Sequence, residues 1–425
     1  MTYIEKDLPI EELGKLAHKE AHARSPIYQM HKWWARRSSS VFRMFVLASF
    51  ADDDVAEYQL WEQFYNGANL QGKIVLDPFM GGGTTIVESL RLGCKVIGRD
   101  INPVAWFITK KEIESIELDK LDVAFAKLQE SAGQFIKNYY RTKCPSGHDA
   151  EIMYAFWIKH VQCPKCDQLV RIFPSYIISN KKDTSTIYCP QCTCIFETTN
   201  KNGKYRITKK ALTSLVECPN CHGTFAPDTG VAGRGKYTCP TCGNNEKFIE
   251  AVNRMKSHFE ATLFALEVYC PQCGRVYKSA DEDDIQLFEK AKNEFEARKP
   301  ELLFPRREIP TEGRSDPRPV NHGYTHFHLM FNERQLLCLS TLLSEILKIE
   351  DENVREFMLL AFSDCLDTNN IFCKYETNYQ KISLLFGLNA YHPIERYAEN
   401  NVWGTKFGRG SFTKCFEKMR RGKVL

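Results

Sequence analysis

Five Cys-Pro-x-Cys turns recur within one stretch of this chain, at Cys163/Cys166, Cys189/Cys192, Cys218/Cys221, Cys239/Cys242 and Cys270/Cys273. Such a turn presents two thiolates to one ion, and a structural zinc takes four ligands, so these turns work in pairs. Seventeen cysteines would suggest disulfides in a small secreted protein, but this chain has 425 residues. Its first residues, MTYIEKDLPIEELGKLAHKE, carry charges where a signal peptide needs an apolar run. No run of 18 apolar residues occurs that would suit a membrane span. The expectation is a cytoplasmic, α/β-type protein without a membrane segment, whose cysteines hold metal.

Five turns leave one without a partner, and Cys144 with His148 in KCPSGHDAE completes the set. Sequential pairing of the inner four joins Cys163 and Cys166 to Cys189 and Cys192, across 22 intervening residues. It likewise joins Cys218 and Cys221 to Cys239 and Cys242, across 17. Cys144 and His148 would then meet Cys270 and Cys273, closing the ends of an insert whose inner ribbons project as one unit. Cys194 and His222 stand nearby as competing ligands. About three zinc ions are expected, all structural, because each site has four protein ligands and no open position.

The formal net charge is only +4. Its distribution is uneven: residues 141–275 carry 18 Lys/Arg against 11 Asp/Glu, and residues 369–425 carry 10 against 4. Basic blocks suit phosphate contacts, and equally suit ordinary solvated surface. Among the ribbons, Lys181, Lys182, Lys204, Tyr205, Arg206, Lys209 and Lys210 fit either DNA contact or a scaffold that docks protein.

A second constraint lies upstream, in VLDPFMGGGTT. Lys73–Leu76 is a short apolar run ending at Asp77-Pro78, which reads as a buried strand. Gly81, Gly82 and Gly83 allow a tight turn, and Thr84-Thr85 can cap a helix running to Leu92. Cys94–Asp100 is a second strand ending in an acid, 23 residues after Asp77 and placed to accept hydrogen bonds from ribose hydroxyls. The glycines do not follow GxGxxG and no Lys-Ser/Thr comes after them, so the ligand is not held by phosphates.

Asp77-Pro78-Phe79-Met80-Gly81-Gly82-Gly83-Thr84-Thr85 resembles motif I of the DNA amino-methyltransferases, whose usual form has Ser where Gly82 stands. The resemblance implies a Rossmann-like, S-adenosylmethionine-dependent methyltransferase core, incomplete in this chain, with an inserted zinc-ribbon region. It also implies that Asp100 holds the ribose of S-adenosylmethionine, with Ile101 and Asn102 flanking the adenine. His31, Lys32 and Trp33, in HKWWARRSSSVFR, resemble the family's element that closes over the methionine end of the cofactor. The expected organisation is a core over 1–140, zinc ribbons over 141–280, an acidic helix and proline-rich connector over 281–330, and a core-completing helical segment over 331–425. Within it the patterning predicts helices at Asp281–Arg298, Glu333–Ile349 and Asn353–Leu366, with Lys299–Pro319 as an extended strap.

That family acts through an Asp/Asn/Ser-Pro-Pro-aromatic tetrapeptide, whose ring stacks on a base flipped from the duplex. No such tetrapeptide occurs here; Ser25-Pro26-Ile27-Tyr28 and Phe173-Pro174-Ser175-Tyr176 are not substitutes. No catalytic residue is therefore assigned. The resemblance implies the cofactor-binding subunit of a split DNA methyltransferase, acting on adenine or, second, cytosine, in a bacterial modification or phage-defence setting. A partner subunit supplies the tetrapeptide, and Trp403, Lys406, Phe407, Arg409, Phe412 and Lys414 are expected where partner and DNA meet. The alternatives are a non-enzymatic zinc-ribbon nucleic-acid-binding protein with a relic pocket, or an RNA methyltransferase.

Overall fold

β1 (Ile74–Asp77) and β2 (Lys95–Gly98) pair in parallel with Leu76 opposite Ile97, joined by the crossover helix α4 (Thr84–Arg91). This is the strand, glycine turn, helix, strand unit that the sequence predicts, with the first strand shifted by one residue towards Asp77 and the second trimmed at both ends. The computed structural model describes residues 1–199, 215–313, 316–385, 387, 391 and 393–424. Two compact units emerge: Met1–Ala126 with Ile349–Asp364 and Cys415–Leu425, and Lys127–Lys348 with Cys365–Lys414.

In the first unit, α1 (Ile10–His22), α2 (Ser39–Phe50) and α3 (Glu57–Asn66) precede the strands, and α5 (Pro103–Ile113) follows them. Glu20 at the end of α1 accepts from the amides of Ser39 (2.7 Å) and Ser40 (3.1 Å), so one helix caps the next. Leu13, Met44, Leu47, Leu60, Phe64 and Leu92 bury together in one cluster. Asn102 caps α5 by accepting from the Val104 amide (2.9 Å), with Pro103 at the first helical position. The other face of the two strands is bare: Leu76 is 61% exposed and Ile97 53%.

The second unit is built on β4 (Asp149–Gln162), whose run of aromatic and aliphatic residues suits a strand buried on both faces. It pairs antiparallel with β14 (Ala261–Cys270) and with β18 (Arg396–Asn400), while β3 (Arg141–Lys143) and β5 (Leu169–Arg171) pair with its two ends and β15 (Gly274–Ser279) lies outside β14. Phe156, Ile158, Phe264 and Ala398 face one side, against Phe173, Tyr188 and Tyr375. On the other side Trp157 meets Phe288 of the helix Glu282–Arg298, with ring centroids 4.5 Å apart. Glu399, fully buried there, accepts from Arg334 Nε and Nη2 (2.7 and 2.8 Å), Tyr140 Oη (3.0 Å), Trp157 Nε1 (2.9 Å) and Asn332 Nδ2 (2.8 Å). A buried carboxylate is tolerable only when satisfied in this way.

The remaining strands are hairpins: β6 (Ile177–Asn180), β7 (Thr184–Tyr188) and β8 (Ile195–Thr199); β9 (Val216–Glu217) and β10 (Thr224–Phe225); β11 (Ala232–Gly233), β12 (Lys236–Thr238) and β13 (Asn245–Lys247); and β16 (Tyr375–Glu376) and β17 (Lys381–Ile382). The acidic helix begins at Glu282 with Asp281 as its cap, which accepts from the Asp284 amide (3.0 Å). The helices Glu333–Leu347 and Glu352–Leu366 form near their predicted bounds, one in each compact unit. The described part of the proline-rich connector is irregular apart from an isolated bridge at Glu308 and the start of the short helix Arg318–Asn321.

The segment after residue 331 is divided: Ile349–Asp364 and Cys415–Leu425 fall in the first unit, whereas the stretch between them contributes β18 to the sheet of the cysteine-rich region, because its alternation Arg-Tyr-Ala-Glu-Asn buries both faces beside β4. Trp403 and Phe412, expected at an interface, are 1% and 0% exposed and pack on each other with ring centroids 5.6 Å apart. Apolar bulk placed them in the core. Phe407 and the Lys406 and Arg409 side chains do remain at the surface.

Candidate functional site

The glycine loop is held by its own acids. Asp77 Oδ1 accepts from the Phe79 amide (3.0 Å), turning the chain as β1 ends. Asp100 takes the Gly81 amide on Oδ2 (2.8 Å) and the Asn102 amide on Oδ1 (2.8 Å). It thus ties the loop to the start of α5 and keeps lone pairs free for a further donor. Gly81 (φ 51°) and Gly83 (φ 79°) adopt the left-handed conformation, and a Cβ on Gly83 would lie 2.7 Å from Thr109 Oγ1. Met80 turns inward, whereas Phe79 is 85% exposed and Ile101 99%, so both project beside the loop. Thr84 is buried and Thr85 half-buried at the first turn of α4, but neither side chain caps it. Pro78 and Asn102 are exposed at the two strand ends.

The HKWWARR segment also reaches this loop, through Trp33 and through Arg36, which the sequence reading did not single out. Arg36 donates to the Gly82 carbonyl and forms a two-pronged pair with Glu112 of α5 (2.6 and 3.3 Å). Both side chains are almost wholly buried. Burial pushes the Glu112 carboxyl up to about 7, against the pull of Arg36. A Cβ on Gly82 would stand 2.9 Å from Trp33 Cδ1 and 3.0 Å from Arg36 Cζ. Trp33 therefore packs directly on the loop. His31 and Lys32 are tied elsewhere: His31 Nε2 lies 3.0 Å from Ser363 Oγ, and the Lys32 amide donates to Asp364 (2.8 Å).

The second unit brings twelve cysteine and histidine ligand atoms into three groups, each with its atoms within 4.8 Å of one another. Cys144, His148, Cys270 and Cys273 assemble as the sequence predicts. The inner four turns assemble differently. Cys163 and Cys166 meet Cys239 and Cys242, and Cys189 and Cys192 meet Cys218 and Cys221, so the pairing is nested rather than sequential. The reason lies in the strands. β4 separates Cys144 from Cys163 by its whole length, and β6 and β7 form a separate sheet with β8, whose β7–β8 turn bears Cys189 and Cys192.

Each Cys-Pro-x-Cys turn caps a hairpin, and all five share one backbone form. The residue after the second cysteine is left-handed in every case: Asp167, Thr193, His222, Gly243 and Gly274. In the first four, the amide of the leading cysteine donates to the carbonyl five residues on (2.8–2.9 Å). Sγ–Sγ separations of 3.6 and 3.7 Å in both inner groups, and 3.8 Å between Cys144 and Cys273, match the edge of roughly 3.8 Å expected for a tetrahedron of thiolates around zinc. The donor set and spacing fit that ion. His222 is the left-handed turn residue and pairs with Glu217 (3.0 Å), not with the cysteines. Cys194 Sγ lies 3.3 Å from Cys218 as an extra thiol beside the group. Lys181 and Lys182 are exposed; Lys204, Tyr205, Arg206, Lys209 and Lys210 lie outside the described residues.

Comparison with known proteins fits this geometry. Residues 62–111, which contain β1, the glycine loop and Asp100, match the family described as "DNA methylase". Residues 7–68 match a family described as "Protein of unknown function (DUF1156)". The chain is 34% identical over 80 residues to the type II methyltransferase M.MjaII of Methanocaldococcus jannaschii, and 40% over 68 residues to the type II methyltransferase M.MvaI of Kocuria varians. These matches cover 19% and 16% of this chain and 15% of each relative, so the chain spans only a small part of either. A third match, 29% over 117 residues, is to Transcription factor S of Sulfolobus acidocaldarius; it covers 27% of this chain and 95% of that protein. No solved structure matches. No helix among the described residues is long and apolar enough to cross a membrane.

Proposed function

We propose that this chain is the S-adenosylmethionine-binding subunit of a split DNA methyltransferase that modifies an exocyclic amino group, adenine N6 before cytosine N4. The observation that carries the reading is the Asp100 carboxylate. It is bonded to the Gly81 amide inside a segment that matches the DNA methylase family, with lone pairs left for ribose hydroxyls. The loop from Asp77 to Thr85 would hold the methionine end, with Trp33 packed on its glycines. Ile101 and Phe79, both exposed beside the loop, offer apolar surface to the adenine. Three structural zinc ions in the second unit would fix its hairpins, which present basic side chains to DNA. A bacterial modification or phage-defence system is the natural setting.

The Pro-Pro-aromatic chemistry comes from outside these 425 residues, on a second subunit. The bare face of β1 and β2 supports this, because parallel sheets are covered on both faces and Leu76 and Ile97 are not. Calorimetry tests the cofactor reading. The chain should bind S-adenosylmethionine, and Asp100→Ala should weaken binding by about 1.5–3 kcal/mol, one to two decades in affinity. Unchanged affinity in Asp100→Ala would place the ribose elsewhere and overturn the assignment.

A further inference from the structure

The second unit contains a cavity of about 570 Å³, within the range of roughly 300–1,000 Å³ usual for small-molecule sites. Trp157 and Lys159 of β4 line it beside Leu263 of β14, which pairs opposite Trp157, and Tyr397 of β18. Phe288 and Phe295 of the helix Glu282–Arg298 add aromatic surface. The surroundings of Lys159 are unusual. The residue is only 5% exposed, and among the described residues no acid and no hydrogen-bond acceptor meets its ammonium. Its recorded neighbour is the Tyr324 ring, 5.3 Å from Nζ.

Two further polar atoms nearby lack partners among the described residues. Tyr324, 1% exposed, has a hydroxyl without a hydrogen-bond partner, and so does Nδ1 of His328 in the cavity lining. His258 stacks on Tyr324 with ring centroids 4.9 Å apart. Burial, with the Lys159 charge adding to it, holds His258 and His322 below the usual histidine range, so neither brings a competing charge at neutral pH. Four acids line the cavity: Glu260 approaches His160 (3.6 Å), Glu296 pairs with Lys299 (2.9 Å), and neither these nor Glu289 and Glu333 form an ion pair with Lys159 among the described residues. A buried cation without a partner is costly, and an arrangement of this kind is completed by an anion.

We propose that this cavity binds a small aromatic anion, its acidic group against Lys159 Nζ and its ring along Trp157, Phe288 and Phe295. The site is separate from the glycine loop and does not depend on the methyltransferase reading. Calorimetry on the whole chain tests it, with indole-3-carboxylate and adenosine monophosphate as probes, and indole and adenosine as their uncharged counterparts. At least one anion should bind about tenfold or more tightly than its uncharged counterpart. Lys159→Met, which keeps the aliphatic stem, should lose that preference while leaving S-adenosylmethionine binding unchanged; Lys159→Gln serves if the methionine variant does not fold. Binding of the carboxylate alone identifies a free aromatic acid, and binding of the monophosphate identifies a nucleotide. The proposal is overturned if neither anion binds, or if the Lys159 variants bind as tightly as the parent chain.

Discussion

Gly82 has no room for a side chain. The resembled family usually carries serine there, and in this chain Trp33 and Arg36 occupy the space which that serine would need. The departure in the motif and the Trp-Trp-Ala-Arg-Arg segment upstream are therefore one adaptation: a tighter loop, clamped from outside by a tryptophan and a buried arginine. Gly82→Ser should cost about 1–3 kcal/mol through overpacking, read as weaker S-adenosylmethionine binding. Adding Trp33→Ala should recover part of the loss, because the indole that clashes is gone. A serine variant that binds like the parent would show that the loop yields easily and that the clamp does not shape it. Asp77, the glycines and Asp100 were legible from sequence because their relations are local and follow a motif. Arg36 and Glu112 were not: their pair spans 76 positions, and a lone glutamate near the end of a helix has no signature of its own.

At the level of elements, the cysteine turns were legible as turns and illegible as pairs. Cys-Pro-x-Cys encodes the hairpin tip directly, down to the left-handed residue that follows. Which tips meet depends on strand lengths and on how β4 and β14 align, with Tyr269 opposite Glu151 at one end and Ala261 opposite Lys159 at the other. The outermost group could be inferred because it closes the insert. The inner two could not, since spacing limits reach without choosing a neighbour. The nested arrangement makes a stoichiometric prediction. Elemental analysis should find about three zinc ions in the parent chain, and about two in Cys166→Ser, in Cys239→Ser and in their double variant alike, because both cysteines serve one ion. Sequential pairing predicts one ion in the double variant, and that result would restore it.

At the scale of the whole chain, the first unit has a two-stranded parallel sheet with one covered face and one bare face. Two strands are marginal alone, and Leu76 opposite Ile97 forms an apolar pair standing in water. Such surface gains roughly 25 cal/mol for every Å² it loses to a partner, so covering it favours assembly. The sequence contains no Asp/Asn/Ser-Pro-Pro-aromatic run to hold a flipped base, and the described residues offer no substitute in the first unit. These two deficits point to one remedy, a polypeptide that extends the sheet and brings the tetrapeptide with it. Purified alone, the 425 residues should bind S-adenosylmethionine yet transfer no methyl group to duplex DNA. Transfer should appear on adding the polypeptide that bears the tetrapeptide, and vanish when its aromatic residue becomes alanine, because the extruded base then loses its stacking surface. Leu76→Lys with Ile97→Lys should abolish the reconstituted activity while leaving cofactor binding by the isolated chain nearly unchanged, since both side chains point away from the face that α4 covers. Methylation of DNA by these 425 residues at the reconstituted rate would sink the split-enzyme reading and require a base-holding residue within this chain.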